Sequence, residues 1–182
     1  MSSNNVGTKF KIELNCGVSN LEMITSSLPA LNKQIETQIP KLEGHHLLIA
    51  DDKEASQRKL QDLIDSLGLT CEFVDNGLDL VEVYTEHPSK FFAIISDVSL
   101  PIMNTYEAAE KIRRFEEMSA KRQIPILFKS WDMSEVDRPR AQNSGVVDFL
   151  IKPLERHVLA GQLLNTLRKR KNPHTVCVYS QD

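Results

Sequence analysis

Residues 93–104 read AIISDVSLPIMN, an apolar run that stops on Asp97 and passes into a loop carrying Ser99 and Pro101. With Phe91 and Phe92 ahead of it, the run is nearly continuous in apolar side chains over 91–96, as a strand covered on both faces must be. Three other stretches have the same form. HHLLIADD (45–52) ends on Asp51 and Asp52, PILFKSW (125–131) passes through Ser130 to Trp131, and DFLIKP (148–153) ends on Lys152 and a proline. In a parallel sheet such ends lie along one edge, where open α/β folds place their ligand sites.

Working outward, apolar runs alternate with segments of helical period, the pattern of repeated βα units. The spacing predicts strands at about 46–50, 70–74, 91–96, 124–129 and 147–151. Helices are predicted at about 54–67, 77–86, 105–119, 133–144 and 154–170. The fourth is polar and carries Pro139, which predicts the weakest and most mobile of the five. Thr70 and Glu72 alternate with apolar neighbours, so 70–74 reads as an edge strand. Right-handed crossovers then favour an α/β doubly wound three-layer sandwich, its five-stranded parallel sheet in the order 2-1-3-4-5. In that order strands one and three are neighbours, and Asp51, Asp52 and Asp97 meet.

Residues 1–44 read as an N-terminal extension or linker with some helix, and 171–182 as a flexible tail. Within the extension, GTKFKIEL (7–14) alternates like a half-buried strand that needs a partner sheet. At 182 residues the chain suits one domain, here 45–170, with extensions. A net charge of −3 gives no general pull toward nucleic acid or anionic lipid, and RKRK at 168–171 reads as the solvated end of a helix. No apolar stretch has the length of a membrane span and there is no secretory segment, so a soluble chain is expected. Cys16, Cys71 and Cys177 are widely spaced without a CxxC, which fits a reducing cytosol and indicates neither a disulfide framework nor a zinc site. His45 and His46 point to opposite faces of a strand, and nothing around His157 supports a phosphate-accepting role.

Three carboxylates across one cleft repel one another unless a cation neutralises them. Magnesium is the best candidate, being a hard ion that takes oxygen ligands and keeps several waters. A lysine and a hydroxyl opposite it would suit a phosphoryl group, Lys152 by charge and Ser130 by a hydrogen bond. A covalently held phosphoryl group needs a carboxylate nucleophile, and Asp97 has the open loop. The competing reading of the acidic pair is structural: an Asp after a strand often caps the next helix, and Asp52 is placed to cap 53–67.

The segment from about 45 to 170 resembles a two-component response-regulator receiver domain. IADD matches its acidic pair, DVSLPIMN its phospho-acceptor loop D-x-x-M-P-x-M-D-G, PILFKS the strand ending in Thr or Ser, and IKP its lysine and proline. The resemblance implies a flavodoxin-like fold and magnesium-dependent phosphorylation of Asp97 from a phosphohistidine on a histidine kinase or histidine phosphotransfer protein. It implies direct metal contacts from Asp52, Asp97 and the Ser99 backbone carbonyl, with Asp51 acting through water. Ser130 and Lys152 would contact the phosphoryl oxygens. Ser130 and Phe149 would act as a switch that changes the face of the fourth helix, fifth strand and fifth helix.

Departures from the family pattern include Leu100 for methionine, Thr105 for glycine and Trp131 for a small residue. Trp131 is expected beside the site, screening it from water or anchoring a partner, and Thr105 is expected to reshape the start of the third helix. GTKFKIEL resembles the last strand of a histidine-kinase ATP-binding domain. Kinase end, linker and receiver are in the order of a hybrid sensor histidine kinase, whose membrane anchor would lie outside these cytoplasmic residues. A stand-alone receiver with an extension is the simpler alternative. Two other functions stay open: a degenerate receiver that only docks partners, and a phosphohydrolase of the haloacid dehalogenase type. The latter wants a second aspartate where Ser99 stands.

Overall fold

A computed structural model describes residues 31–132, 136 and 138–171. The alternation read from the sequence is realised as β1 (His46–Ala50), α1 (Glu54–Ser66), β2 (Thr70–Val74), α2 (Gly77–Glu86) and β3 (Ala93–Asp97). There follow α3 (Thr105–Met118), β4 (Ile126–Ser130), α4 (Arg138–Asn143), β5 (Asp148–Ile151) and α5 (Arg156–Lys171). All strand pairs are parallel, in the order β2-β1-β3-β4-β5. The predicted order is therefore the observed one.

Strand alternation divides the core into two layers. Leu47, Ile49, Ala93, Ile95, Leu127 and Leu150 face α1 and α5, against Leu60, Ile64, Leu159 and Leu163. Leu48, Ala50, Ile94, Ile126 and Phe128 face the other way, against Leu80 and Tyr84 of α2, Ile112 of α3 and Ala141 of α4. The stretch ahead of β1 adds to the first layer. Residues 31–36 are helical, a 3-10 turn covers Ile39–Lys41, and Ile35, Ile39 and Leu42 pack against the α5 side of the core. Folded packing thus begins before residue 45, because these three apolar side chains cover α5. GTKFKIEL and the tail from 172 lie outside the described residues.

The helix starts show how the loops at the sheet edge are held. Asn76 caps α2 by accepting from Asp79 N at 2.9 Å, and Asn104 caps α3 by accepting from Glu107 N at 3.0 Å. Gly77 opens α2 hard against the loop after β3, where a Cβ would lie 2.1 Å from the Met103 carbonyl oxygen. Only glycine allows that approach. Pro139 falls in the first turn of α4, a position that needs no amide donor, so it does not interrupt the helix. Helix α4 is shorter than the predicted 133–144, and 133–135 and 137 lie outside the described residues.

A buried polar group ties α2, α3 and the start of β4 together. Glu116 accepts from the Tyr84 hydroxyl and from Ile124 N, both at 2.6 Å, and pairs with Arg113 at 2.6 Å. Arg113 also donates to the carbonyls of Ile124 and Gly145 at 2.7 and 2.8 Å. Burial and the neighbouring Glu116 hold the Tyr84 phenol in its protonated, donating form.

Candidate functional site

At the carboxyl edge of the sheet β1 and β3 run side by side, Ala50 opposite Ser96, so the residues that follow in each chain meet. Asp51 and Asp97 are buried and Asp52 is exposed. Carboxylate oxygens from all three lie within 4.8 Å of one another. Asp51 is fixed from the α1 side: its carboxylate accepts from Lys53 N at 3.0 Å and from the Ser56 hydroxyl at 2.5 Å. The N-cap residue of α1 is Lys53, with no side-chain cap bond, so the expected cap by Asp52 is not formed; Asp51 instead holds the Lys53 amide and the Ser56 hydroxyl. Burial opposes ionisation of Asp51, but the hydrogen bonds from Lys129 and Ser56 outweigh it and hold its carboxyl below the usual range.

Two ammonium groups face the acids. Lys152 Nζ lies 2.7 Å from Asp97 Oδ1 and donates to Oδ2 at 2.9 Å. Lys129 ion-pairs with Asp51 Oδ2 and approaches Asp97 Oδ1 to 3.2 Å. Despite both lysines, Asp97 Oδ1 receives no hydrogen bond of good geometry. Its attraction to them is ionic, and a buried oxygen with an unused acceptor direction faces the cleft.

Lys129 is the residue that the sequence reading passed over. It is the one charged residue of β4, ILFKS, and in the sheet register it stands directly opposite Asp97. A lone charge inside an otherwise apolar run was the signal available in the sequence. Its side chain is 2% exposed, on the same sheet face as Leu127. Ser130 consequently faces the other way, with Phe128, and its hydroxyl donates to the Asp132 carbonyl at 2.8 Å.

The remaining expected residues are placed as follows. Ser99 is exposed in the loop immediately after β3. Trp131 is 62% exposed, with Lys152 Nζ 5.5 Å from its ring centroid, so the indole stands beside the acidic cleft. Thr105 is buried as the first residue of α3, and its hydroxyl lies 2.6 Å from that of Ser96. That bond joins α3 to β3 where the family pattern has glycine. Phe149 is half-buried in β5 and packs edge-on against Phe128, whose ring also meets Tyr106.

An oxygen-only donor set with an unsatisfied buried carboxylate oxygen fits a hard divalent cation such as magnesium. The response regulator receiver domain profile matches residues 47–178. The chain belongs to the response regulator receiver family. Peroxide stress-activated histidine kinase mak3 of Schizosaccharomyces pombe is 23% identical over 131 residues, 71% of this chain and 6% of that protein. The chain spans less than two thirds of the length of the curated relatives it matches first.

Among solved receivers, that of Saccharomyces cerevisiae Ssk1, crystallised with the histidine phosphotransfer protein Ypd1, superposes with a TM-score of 0.62. It is 23% identical and the match covers 76% of this chain and 97% of that one. The receiver domain of sensor histidine kinase PA1611 from Pseudomonas aeruginosa gives a TM-score of 0.59 at 26% identity, covering 69% of this chain and 98% of that one. That structure has a magnesium ion coordinated in its active site cleft. Among the described residues of the present chain, no helix is long and apolar enough to cross a membrane.

Proposed function

We propose that this receiver takes a phosphoryl group on Asp97 from a phosphohistidine carried by a histidine kinase or a histidine phosphotransfer protein. The observation that carries the proposal is Asp97 itself. It ends a fully buried strand, keeps one carboxylate oxygen without a hydrogen bond, and has both lysines at hand. In the transfer, an Asp97 carboxylate oxygen bonds to phosphorus as the P–N bond to the donor imidazole breaks, and the leaving nitrogen keeps the electron pair. Lys152 is placed to follow charge from the carboxylate onto the phosphoryl oxygens. Magnesium held by Asp51, Asp52, Asp97 and the Ser99 carbonyl would supply further neutralisation of that charge.

Ser130 would reach the phosphoryl group only after giving up its bond to Asp132, which makes it the movable part of the site. Phe149, packed on Phe128 of the neighbouring strand, is next to the space such a movement opens. The switch is accordingly assigned to Ser130 and Phe149, with its output on the face formed by α4, β5 and α5. A place within a hybrid histidine kinase is in keeping with the histidine kinase mak3 among the relatives.

A docking module without phosphoryl chemistry is the second reading, favoured by the Lys129 ammonium already lodged among the acids. Intact-protein mass after incubation with magnesium and acetyl phosphate, or with a phosphohistidine donor, separates the two. A gain of one phosphate that is absent in Asp97→Asn is expected. No gain with any donor would favour docking alone.

A further inference from the structure

A buried ammonium is costly unless anions surround it, and Lys129 is held by two. Its Nζ is paired with Asp51 Oδ2 and lies 3.2 Å from Asp97 Oδ1, the orphaned oxygen. Both carboxylates belong to the oxygen cluster that fits a divalent cation. Lys152 occupies a different place. It touches Asp97 and reaches out toward Trp131, whereas Lys129 bridges β1 and β3 from within the sheet. The cleft therefore carries three carboxylates and two ammonium groups; both ammonium groups lie against Asp97 Oδ1, Lys152 at 2.7 Å and Lys129 at 3.2 Å, and Lys129 also pairs with Asp51, so it spans two of the acids a metal would use.

We propose that Lys129 is a tethered cation that competes with magnesium for Asp51 and Asp97. In the absence of metal its ammonium holds the two acids together and offsets their repulsion, and metal enters by displacing it from both. The inference rests on reading the cleft as a metal-assisted phosphoryl acceptor, and deepens it: Lys129 sets the metal concentration at which the site becomes competent. The structural requirement is met by Ser56 and Lys53, which hold Asp51 from the helix side whether or not Lys129 is bound to it.

The test is magnesium and manganese affinity of the full chain, followed by Trp131 emission or calorimetry, for wild type, Lys129→Met and Lys129→Gln. Removing a unit positive charge this close to the metal position should tighten magnesium binding by about tenfold or more. The metal-free variants should melt lower than wild type, and saturating magnesium should raise their Tm by more than it raises that of wild type. A Lys129→Met chain that folds only with magnesium present would be the same result in stronger form.

Equal or weaker magnesium affinity in the variants, or in Lys129→Gln alone should Lys129→Met not fold under any condition, overturns the role of Lys129. If that happens while Asp97 still accepts phosphate, the acceptor reading survives and this inference alone fails. Tighter metal binding without any phosphorylation of Asp97 supports the tethered cation and sinks the acceptor reading. Absence of metal binding in wild type and in both variants overturns both.

Discussion

Ile102 sits in the loop after β3 with φ at 66°, a left-handed conformation in which a β-branched side chain crowds its own backbone. It is 79% exposed, so little packing compensates. Ile102→Asn should stabilise the domain by about 1 kcal/mol, measured by urea unfolding, because asparagine tolerates this region far better. Asp148 poses a pH-dependent case. Burial pushes its carboxyl above the usual range, so the folded state binds that proton more tightly than the unfolded chain does. Its contribution is favourable below the unfolded pKa and is lost as pH rises through the folded one. At pH 7 the charge therefore costs stability. Asp148→Asn, which can still accept from Phe149 N, should melt higher than wild type at pH 7, and the gap should close as pH falls into the carboxylate range.

At the scale of elements, the Glu116 cluster is the most exposed to single substitutions. Glu116→Ala would strand Arg113 and leave the Ile124 amide unsatisfied, and should cost about 3–5 kcal/mol by denaturant unfolding. None of that cluster was legible in the sequence, since an acid on a helix looks like an ordinary surface residue until the helix is docked. The strands were legible because apolar runs such as AIIS announce burial on both faces, and their order followed from handedness. The site was legible in part. Asp51, Asp52, Asp97 and Lys152 meet as expected because each ends or follows a strand on one sheet edge. Lys129 and Ser130 show the limit: adjacent residues on a strand face opposite ways, and the sequence pattern did not say that the lysine would take the inward side. The helix predicted over 133–144 is observed as Arg138–Asn143, since the polar stretch before it has no periodicity to mark a start.

Taken as a whole molecule, the domain is a sheet whose carboxyl edge holds a charged cleft, with the expected output face at β5, two strands from the β3 that carries Asp97. Among three neighbouring carboxylates, Asp97 is the one proposed to carry the phosphoryl group. Geometry favours it because Lys129 and Lys152 both approach Asp97, whereas Asp51 is also tied up by Ser56 and the Lys53 amide. The most direct measurement is borohydride reduction of the phosphorylated chain, which converts an aspartyl phosphate to homoserine, followed by peptide mass mapping. Homoserine is expected at position 97 alone. Homoserine at 51 or 52, or phosphate recovered on a histidine with no homoserine formed, would contradict it.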